Sequence, residues 1–405
     1  MRIARSCRAI GCLLISVDPC EVTVQRGRES LSQRLGSPFE KNRLVRILVN
    51  RPHPIPTAAR QPILGVLMPQ TGPLSAPTDD QTGREAPPAN RTVAAVENAP
   101  YAEPAPHTTV TADLAHRTTG TDVFPTRWRR ISDARFRFTA YWPAAHPFFG
   151  PVDDRHQDPM IVGETLRQAS MVLAHAEYGA PADTHFVMWD LTVTADPSAL
   201  RLSDAAEPVD IDVVCSEVRR RGRGLSSMRT TMEFRRAGRF VARGTGSTGC
   251  TSPLAYRRLR ERQLAALETP VPLLPGIAPE LAGRSRAEDV VLAPADRPGV
   301  WLLRLDTSHP VLFPRPNDHV PGMALFEAAR QAATAATGQH PFLPRAMTAT
   351  FTRYAELHSP CRLETEVLGT DPEEVTVRVS GRQDGESVFT ATLTSARPAR
   401  VRSLS

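Results

Sequence analysis

Apolar and polar positions along this chain follow the same order of periods twice. From Arg135 to Trp142 (RFRFTAYW) they alternate, as along a half-buried strand. Met160 to Tyr178 switches to helical spacing and stops at Gly179, a residue suited to the position after a helix end. The pattern then predicts strands at His185 to Val193, Val209 to Val218, Met228 to Phe234 and Phe240 to Arg243. A helix from Leu254 to Glu268 joins this half to the next, followed by the Pro-rich PVPLLPGIAPE. The second half predicts a strand at Val300 to Leu305 and a helix from Met323 to Thr337 stopped by Gly338. Strands follow at Ala346 to Tyr354, Cys361 to Val367, Glu374 to Val379 and Val388 to Ser395. One long helix followed by several strands, twice over, predicts an α+β sheet wrapped around a central helix rather than β-α-β units.

The duplication extends to individual residues. HPFFGPVDDRHQDPMIVGETLRQAS (His146 to Ser170) aligns without a gap on HPVLFPRPNDHVPGMALFEAARQAA (His309 to Ala333), at an offset of 163 (309 − 146 = 163). His146 falls on His309, His156 on His319, Glu164 on Glu327, Arg167 on Arg330 and Gln168 on Gln331. The second helix is apolar nearly all round and therefore belongs in a core. Glu327, Arg330 and Gln331 lie at i, i+3 and i+4 on one of its faces, and Glu164, Arg167 and Gln168 repeat the arrangement. A carboxylate and a guanidinium on a buried helix are costly unless paired or used, so each trio is a structural ion pair or part of a site.

Composition narrows the classes. A chain of 405 residues suggests two or three domains, but its 38 Pro are unevenly placed. Residues 1–107, dominated by Pro, Thr, Ala and Arg without periodicity, are expected to be disordered or an over-extended start, with Met68 a later candidate. The rest divides into 108–253, a 254–284 connection and 285–398. The formal net charge is +6, and with Lys41 the only lysine it rests on arginine, whose planar fork suits phosphate and carboxylate. The Arg219 to Arg223 run is expected at a hairpin tip. It lacks the aromatic platform of a nucleic-acid site but would suit an acidic protein partner. The six Cys have no ligand spacing, which fits a reduced, cytoplasmic setting without a metal. The basic, briefly apolar start is closed at Asp18-Pro19, and no later stretch is long and apolar enough for a membrane span. Gly244-Thr245-Gly246-Ser247-Thr248-Gly249 matches a dinucleotide fingerprint, but no helix opens at its last glycine, so a strand-end turn is expected.

The paired motifs resemble the two repeats of the A-factor biosynthesis hotdog family, over about residues 108–398. The second is also similar to β-hydroxyacyl-carrier-protein dehydratases, in which a His precedes a Pro-Gly and an acidic residue follows in the helix. The resemblance implies a double hotdog, two tandem helix-wrapped antiparallel sheets forming a pseudo-dimer. It implies transfer of a β-ketoacyl group from acyl carrier protein to dihydroxyacetone phosphate, on the way to γ-butyrolactone or furan-type signals, without a bound cofactor. Glu164 or Glu327 would be the general base, with burial raising its pKa. Arg330 or Arg167 would grip the phosphate, and the helix N-termini near Met160 and Met323 would polarise the thioester carbonyl. His146 and His309 take the dehydratase histidine's position at a longer spacing from the Glu. Sites between halves would pair His309 with Glu164 and His146 with Glu327.

Gln168, Gln331, His319 and Gly322 are candidate substrate contacts, although His319, like His156, also suits a loop anchor, and His175 and His185 carry no signal. Gly163 opposite Phe326, and Asp158-Pro159 opposite Pro321-Gly322, imply that one site has specialised, and the family pattern favours Glu164 with Arg330. Nucleic acid and membrane are not expected partners, and a homodimer is left open. Competing readings are a hotdog thioesterase or dehydratase acting on acyl-carrier-protein or CoA thioesters, and a non-catalytic module that binds acyl ligands.

Overall fold

The computed structural model describes residues 106–202, 207–222, 224–266, 272–369, 371 and 373–396, and the backbone of three N-terminal strands. The chain forms two units, Met1–Ala95 and Val96–Ser405. In the first, β1 (Leu14–Asp18), β2 (Glu21–Arg26) and β3 (Glu29–Arg34) form an antiparallel sheet within the tract expected to lack structure. The alternation in Glu21-Val22-Thr23-Val24 suits β2, and β1 ends at Asp18, before the expected break. The remainder of the first 105 residues lies outside the described residues.

The second unit is built on one antiparallel sheet of thirteen strands. Its first half contains β4 (Thr108–Thr109), β5 (Pro125–Ser132), β6 (Arg135–Ala140), β7 (His185–Ala195), β8 (Val209–Arg221), β9 (Gly224–Arg236) and β10 (Arg239–Thr251). The second contains β11 (Leu292–Pro294), β12 (Val300–Leu303), β13 (Pro344–Phe351), β14 (Arg362–Leu368), β15 (Glu374–Gln383) and β16 (Glu386–Ala396). The order is β7-β10-β9-β8-β6-β5-β4 in one half and β13-β16-β15-β14-β12-β11 in the other, the same sequence of moves. The halves join edge to edge where β7 pairs antiparallel with β13, Thr192 opposite Thr348. This is the double hotdog that the repeats imply: each half supplies the edge strand that the other would leave unpaired.

Each half wraps a central helix, α1 (Met160–Ala176) in the first and α3 (Gly322–Thr337) in the second. α2 (Pro253–Ala265), capped by the Ser252 hydroxyl, connects them. Thirteen of the residues of α1 and twelve of α3 are buried, as their all-round apolar composition requires. The two meet where Gly163 faces Phe326: a Cβ at Gly163 would lie 3.4 Å from the Phe326 ring. The mismatch in the aligned motifs is thus a small-against-large contact across the pseudo-symmetric centre.

The glycine tract is not a turn. Gly244, Gly246 and Gly249 lie inside β10, which runs on to Thr251. A Cβ at Gly244 would meet the Leu166 side chain of α1 at 2.5 Å, and one at Gly249 the Trp189 ring at 2.7 Å. Glycine here admits the helix onto the sheet, a close approach that composition alone cannot separate from a turn. Of the Arg219 to Arg223 run, Arg219, Arg220 and Arg221 end β8 at its hairpin with β9, and Arg223 lies outside the described residues.

Candidate functional site

The polar trio of α1 organises a buried network. Glu164 Oε1 accepts from Arg117 (Nε at 3.1 Å, with Nη2 ion-paired at 2.5 Å), from Arg167 (Nη2 at 2.7 Å) and from Gln168 (Nε2 at 2.7 Å). Gln168 also donates to the Asp122 carbonyl and accepts from the Phe124 backbone N–H, which fixes its amide. His146 Nδ1 accepts from the Phe148 and Phe149 N–H groups, so its proton sits on Nε2, which donates to Asp122 at 3.0 Å. With both ring nitrogens engaged in this way, His146 anchors its loop.

The second half repeats this bond for bond. Glu327 accepts from Arg284, Arg330 and Gln331, the last two at 2.7 Å. Gln331 donates to the Asp289 carbonyl and accepts from Val291 N–H. His309 bonds Asp289 and the N–H groups of Val311 and Leu312. The expected His309–Glu164 and His146–Glu327 pairs do not form, since the ring nitrogens of each histidine bond within its own half, although the His309 ring packs edge-on against Phe148 of the other. The link between halves is instead reciprocal arginines: Arg117 Nη1 donates to the Val311 carbonyl at 2.7 Å and Arg284 Nη1 to that of Phe148 at 2.8 Å.

These arginines and aspartates escaped the motif alignment because they repeat at a different offset, 167 (284 − 117 = 289 − 122 = 167). Their signal is nonetheless present: Leu114-Ala115-His116-Arg117 with Asp122-Val123 recurs as Leu281-Ala282-Gly283-Arg284 with Asp289-Val290. Arg284 lies at the end of the tract assigned to the connection.

The halves differ in charge and access. Beside Glu327, Asp158 lies fully buried with Oδ2 at 3.2 Å from Arg284, so two carboxylates face two guanidiniums. Burial raises the Asp158 pKa against the pull of Arg284 and Arg330. Asp158 also accepts the first backbone N–H of α1, from Met160, at 2.9 Å. The corresponding residue near Glu164 is Pro321 (158 + 163 = 321), and no side chain caps α3. The N–H groups of Gly322 and Met323 have no partner within the helix. A cavity of about 1010 Å³ lies on this side, and its walls include Glu164, Arg117, Arg167, Gly322 and His319. Arg330 is 1 % exposed and, like Glu327, is not among the residues lining it.

Burial pushes the Glu164 carboxyl up, but Arg117 and Arg167 outweigh it and hold the pKa at about 2. The expectation of a raised pKa is therefore corrected: two guanidiniums within hydrogen-bond reach overcome desolvation. His319 has its Nδ1 at 2.9 Å from Asp318 Oδ1, and Asp318 is fixed in turn by Tyr256 and Arg260 of α2. A carboxylate only accepts, so Nδ1 carries a proton, and in the neutral ring the lone pair is the one on Nε2. His156 is held by Asp153 in a loop of the first half and is not part of the cavity wall. His175 contacts His116, and His185 stacks on Tyr256 at 3.7 Å, so both have a place that sequence did not suggest.

The family model described as "A-factor biosynthesis hotdog domain" matches residues 99–252 and 266–397. A Streptomyces virginiae protein named 2-oxo-3-(phosphooxy)propyl 3-oxoalkanoate synthase is 44% identical over 282 residues, covering 69% of this chain and 95% of that protein. A Streptomyces coelicolor protein of the same name is 46% identical over 284 residues, covering 69% and 89%. Among solved structures, a 12:0-ACP thioesterase from Umbellularia californica is 16% identical, with a TM-score of 0.41 over 65% of this chain and 97% of that one.

Proposed function

The chain belongs to the A-factor biosynthesis hotdog family, and from that premise we propose that it transfers a β-ketoacyl group from an acyl-carrier-protein thioester to a hydroxyl of dihydroxyacetone phosphate. The product named for the relatives is the ester of these two parts. The observation that carries the assignment to a site is the asymmetry of the halves: among the described residues the Glu164 side combines a cavity of about 1010 Å³, arginines and a helix end without a side-chain cap, and Glu327 and Arg330 do not line that cavity.

In this reading the thioester carbonyl oxygen sits at the Gly322 and Met323 N–H groups, where the helix dipole and free donors stabilise the charge of a tetrahedral intermediate. The acceptor hydroxyl oxygen attacks the carbonyl carbon, a C–O bond forms and the C–S bond breaks. The hydroxyl proton passes to His319 Nε2 and on to the leaving carrier thiolate, so thioester and alcohol become ester and thiol. Glu164, with a pKa near 2, is too weak a base for that proton at neutral pH. Its role is to stay ionised and hold Arg117 and Arg167 at the cavity wall. Arg221, at the end of β8, also reaches the wall, so the arginine hairpin is the approach for an acidic carrier protein.

The test is to incubate the protein with carrier-bound β-ketoacyl thioesters and dihydroxyacetone phosphate and look for the phosphorylated ester by mass spectrometry. Absence of ester at every chain length sinks the proposal. Free acid or enoyl product, formed regardless of the acceptor, would favour a thioesterase or dehydratase instead.

A further inference from the structure

Three residues break the equivalence of the halves together. At the 167 offset His116 corresponds to Gly283 (116 + 167 = 283). At the 163 offset His175 corresponds to Gly338 and Arg315 to Val152 (175 + 163 = 338; 315 − 163 = 152). His116 and Gly283 share a left-handed backbone, φ 56° and 64°. Glycine adopts it freely and histidine only at a cost in strain, so the first half keeps an unfavourable residue where the second does not.

Those three residues touch. Arg315 Nη2 donates to His116 Nδ1 at 2.6 Å, and His116 Nε2 meets His175 Nε2 at 2.8 Å. His175 Nδ1 lies 2.8 Å from the Ala180 carbonyl. A guanidinium only donates and a carbonyl only accepts, so one set of directions satisfies the chain: Arg315 to His116, His116 to His175, His175 to Ala180. Both rings are then neutral, and burial followed by Arg315 holds the His116 pKa down at about 3. The pair is thus an uncharged bracket that fixes the Arg315 guanidinium at the cavity, whose wall includes Arg315, His116 and Arg167.

The charges point the same way. The Glu164 side sets Arg117 and Arg167 against one carboxylate, and the charges of Arg167 and Arg117 act on Arg315. The Glu327 side sets Arg284 and Arg330 against Glu327 and Asp158. Asp122 and Asp289 occupy equivalent places and cancel in the comparison. Asp183 and Asp190 also line the cavity, but with Arg221 and Arg353 its wall keeps an excess of arginine over carboxylate, whereas the two arginines and two carboxylates at Glu327 match.

We propose that Arg315, presented by the His116–His175 bracket and supported by Arg167, is the seat for the phosphate monoester of the acceptor. The proposal rests on the transfer reading for the identity of the acceptor, not for the presence of an anion site. Arg167 bonds Glu164 and lies close to Arg315. Arg315 lines the same cavity as His319, Gly322 and Met323, so a phosphate held there shares a wall with the proposed reacting centre, as a small phosphate ester requires. The phosphodiester of a carrier's pantetheine arm is the other source of this chemistry, but it is separated from its thioester by a long chain.

The experiment measures KM for dihydroxyacetone phosphate with an N-acetylcysteamine β-ketoacyl thioester, a donor without phosphate. Arg315→Gln is expected to raise that KM about tenfold or more, as for loss of one charge-assisted hydrogen bond, and to leave the donor KM unchanged. His116→Gly, which installs the second half's residue in a backbone that favours it, raises the same KM by less. A shift seen only with the carrier-bound donor, or no shift with either variant, overturns the proposal. Calorimetric titration with inorganic phosphate separates the two readings. Phosphate binding that Arg315→Gln weakens, in a protein that forms no ester, sustains the seat and sinks the transfer. Ester formation with both assays indifferent to Arg315→Gln does the reverse.

Discussion

Arg117 Nη2 lies 2.5 Å from Glu164 Oε1, and its Nη1 donates to the Val311 carbonyl of the other half at 2.7 Å. One guanidinium thus fixes a buried carboxylate and ties the two repeats, and Arg284 does the same for Glu327 and the Phe148 carbonyl. Arg284 also stacks on the Phe148 ring at 4.1 Å. Arg284→Met leaves Glu327 and Asp158 without a principal counter-charge in a fully buried setting. Loss of one partner from a buried pair typically costs about 3–5 kcal/mol. Urea denaturation should show a destabilisation of that order, and a loss below about 1 kcal/mol would contradict the assigned role.

The unequal halves predict unequal mutants. Glu164→Gln releases Arg117 and Arg167 at the cavity wall and should lower kcat/KM for ester formation at least about a hundredfold, equivalent to about 2.7 kcal/mol of transition-state stabilisation. Glu327→Gln unbalances a site that the cavity does not reach, so it should lower stability while the folded fraction keeps most of its turnover. Equal kinetic losses in both variants would refute the placement of the site on the Glu164 side.

Acid should weaken the fold through these same carboxylates. Glu164 and Glu327 each have a pKa held near 2, against an unfolded value of about 4.3. A depressed carboxylate stabilises the fold above its unfolded pKa, and that contribution fades as pH falls from about 4.5 towards 2. Asp158, whose pKa is raised, works in the opposite direction and offsets part of the loss. Denaturation midpoints at pH 7, 5 and 3 should be similar for the first two and clearly lower for the third. In Glu327→Gln the drop between pH 5 and 3 should shrink.

How much of this the sequence discloses depends on register. The helices and their polar trios are legible because Glu164, Arg167 and Gln168 repeat at one fixed offset inside an apolar pattern. Arg117 and Arg284 are not, since the loop between them and the motif differs in length and moves them to another offset. The thirteen-strand sheet depends on β7 meeting β13, a pairing between edges that no local period records. The Glu164 pKa fails in part for the same reason: burial is readable from α1, but of the two arginines that reverse its effect only Arg167 is on that helix, and Arg117 comes from elsewhere in the chain. Arg315, inside the quoted motif, gains meaning only from His116 and His175, which the fold brings to it.

The Asp318–His319 pair gives a chemical test of the proton path. Asp318 fixes the histidine tautomer, and Tyr256 and Arg260 fix Asp318. His319→Gln keeps a polar side chain at the cavity wall but removes the proton acceptor. It should reduce kcat about a hundredfold or more, within the range for a general base, with little change in either KM. Asp318→Asn should lower kcat less and change the shape of the pH–rate profile, because the ring loses the carboxylate that orients it. If His319→Gln keeps wild-type kcat across that profile, the proton leaves by another route and His319 reverts to a loop anchor.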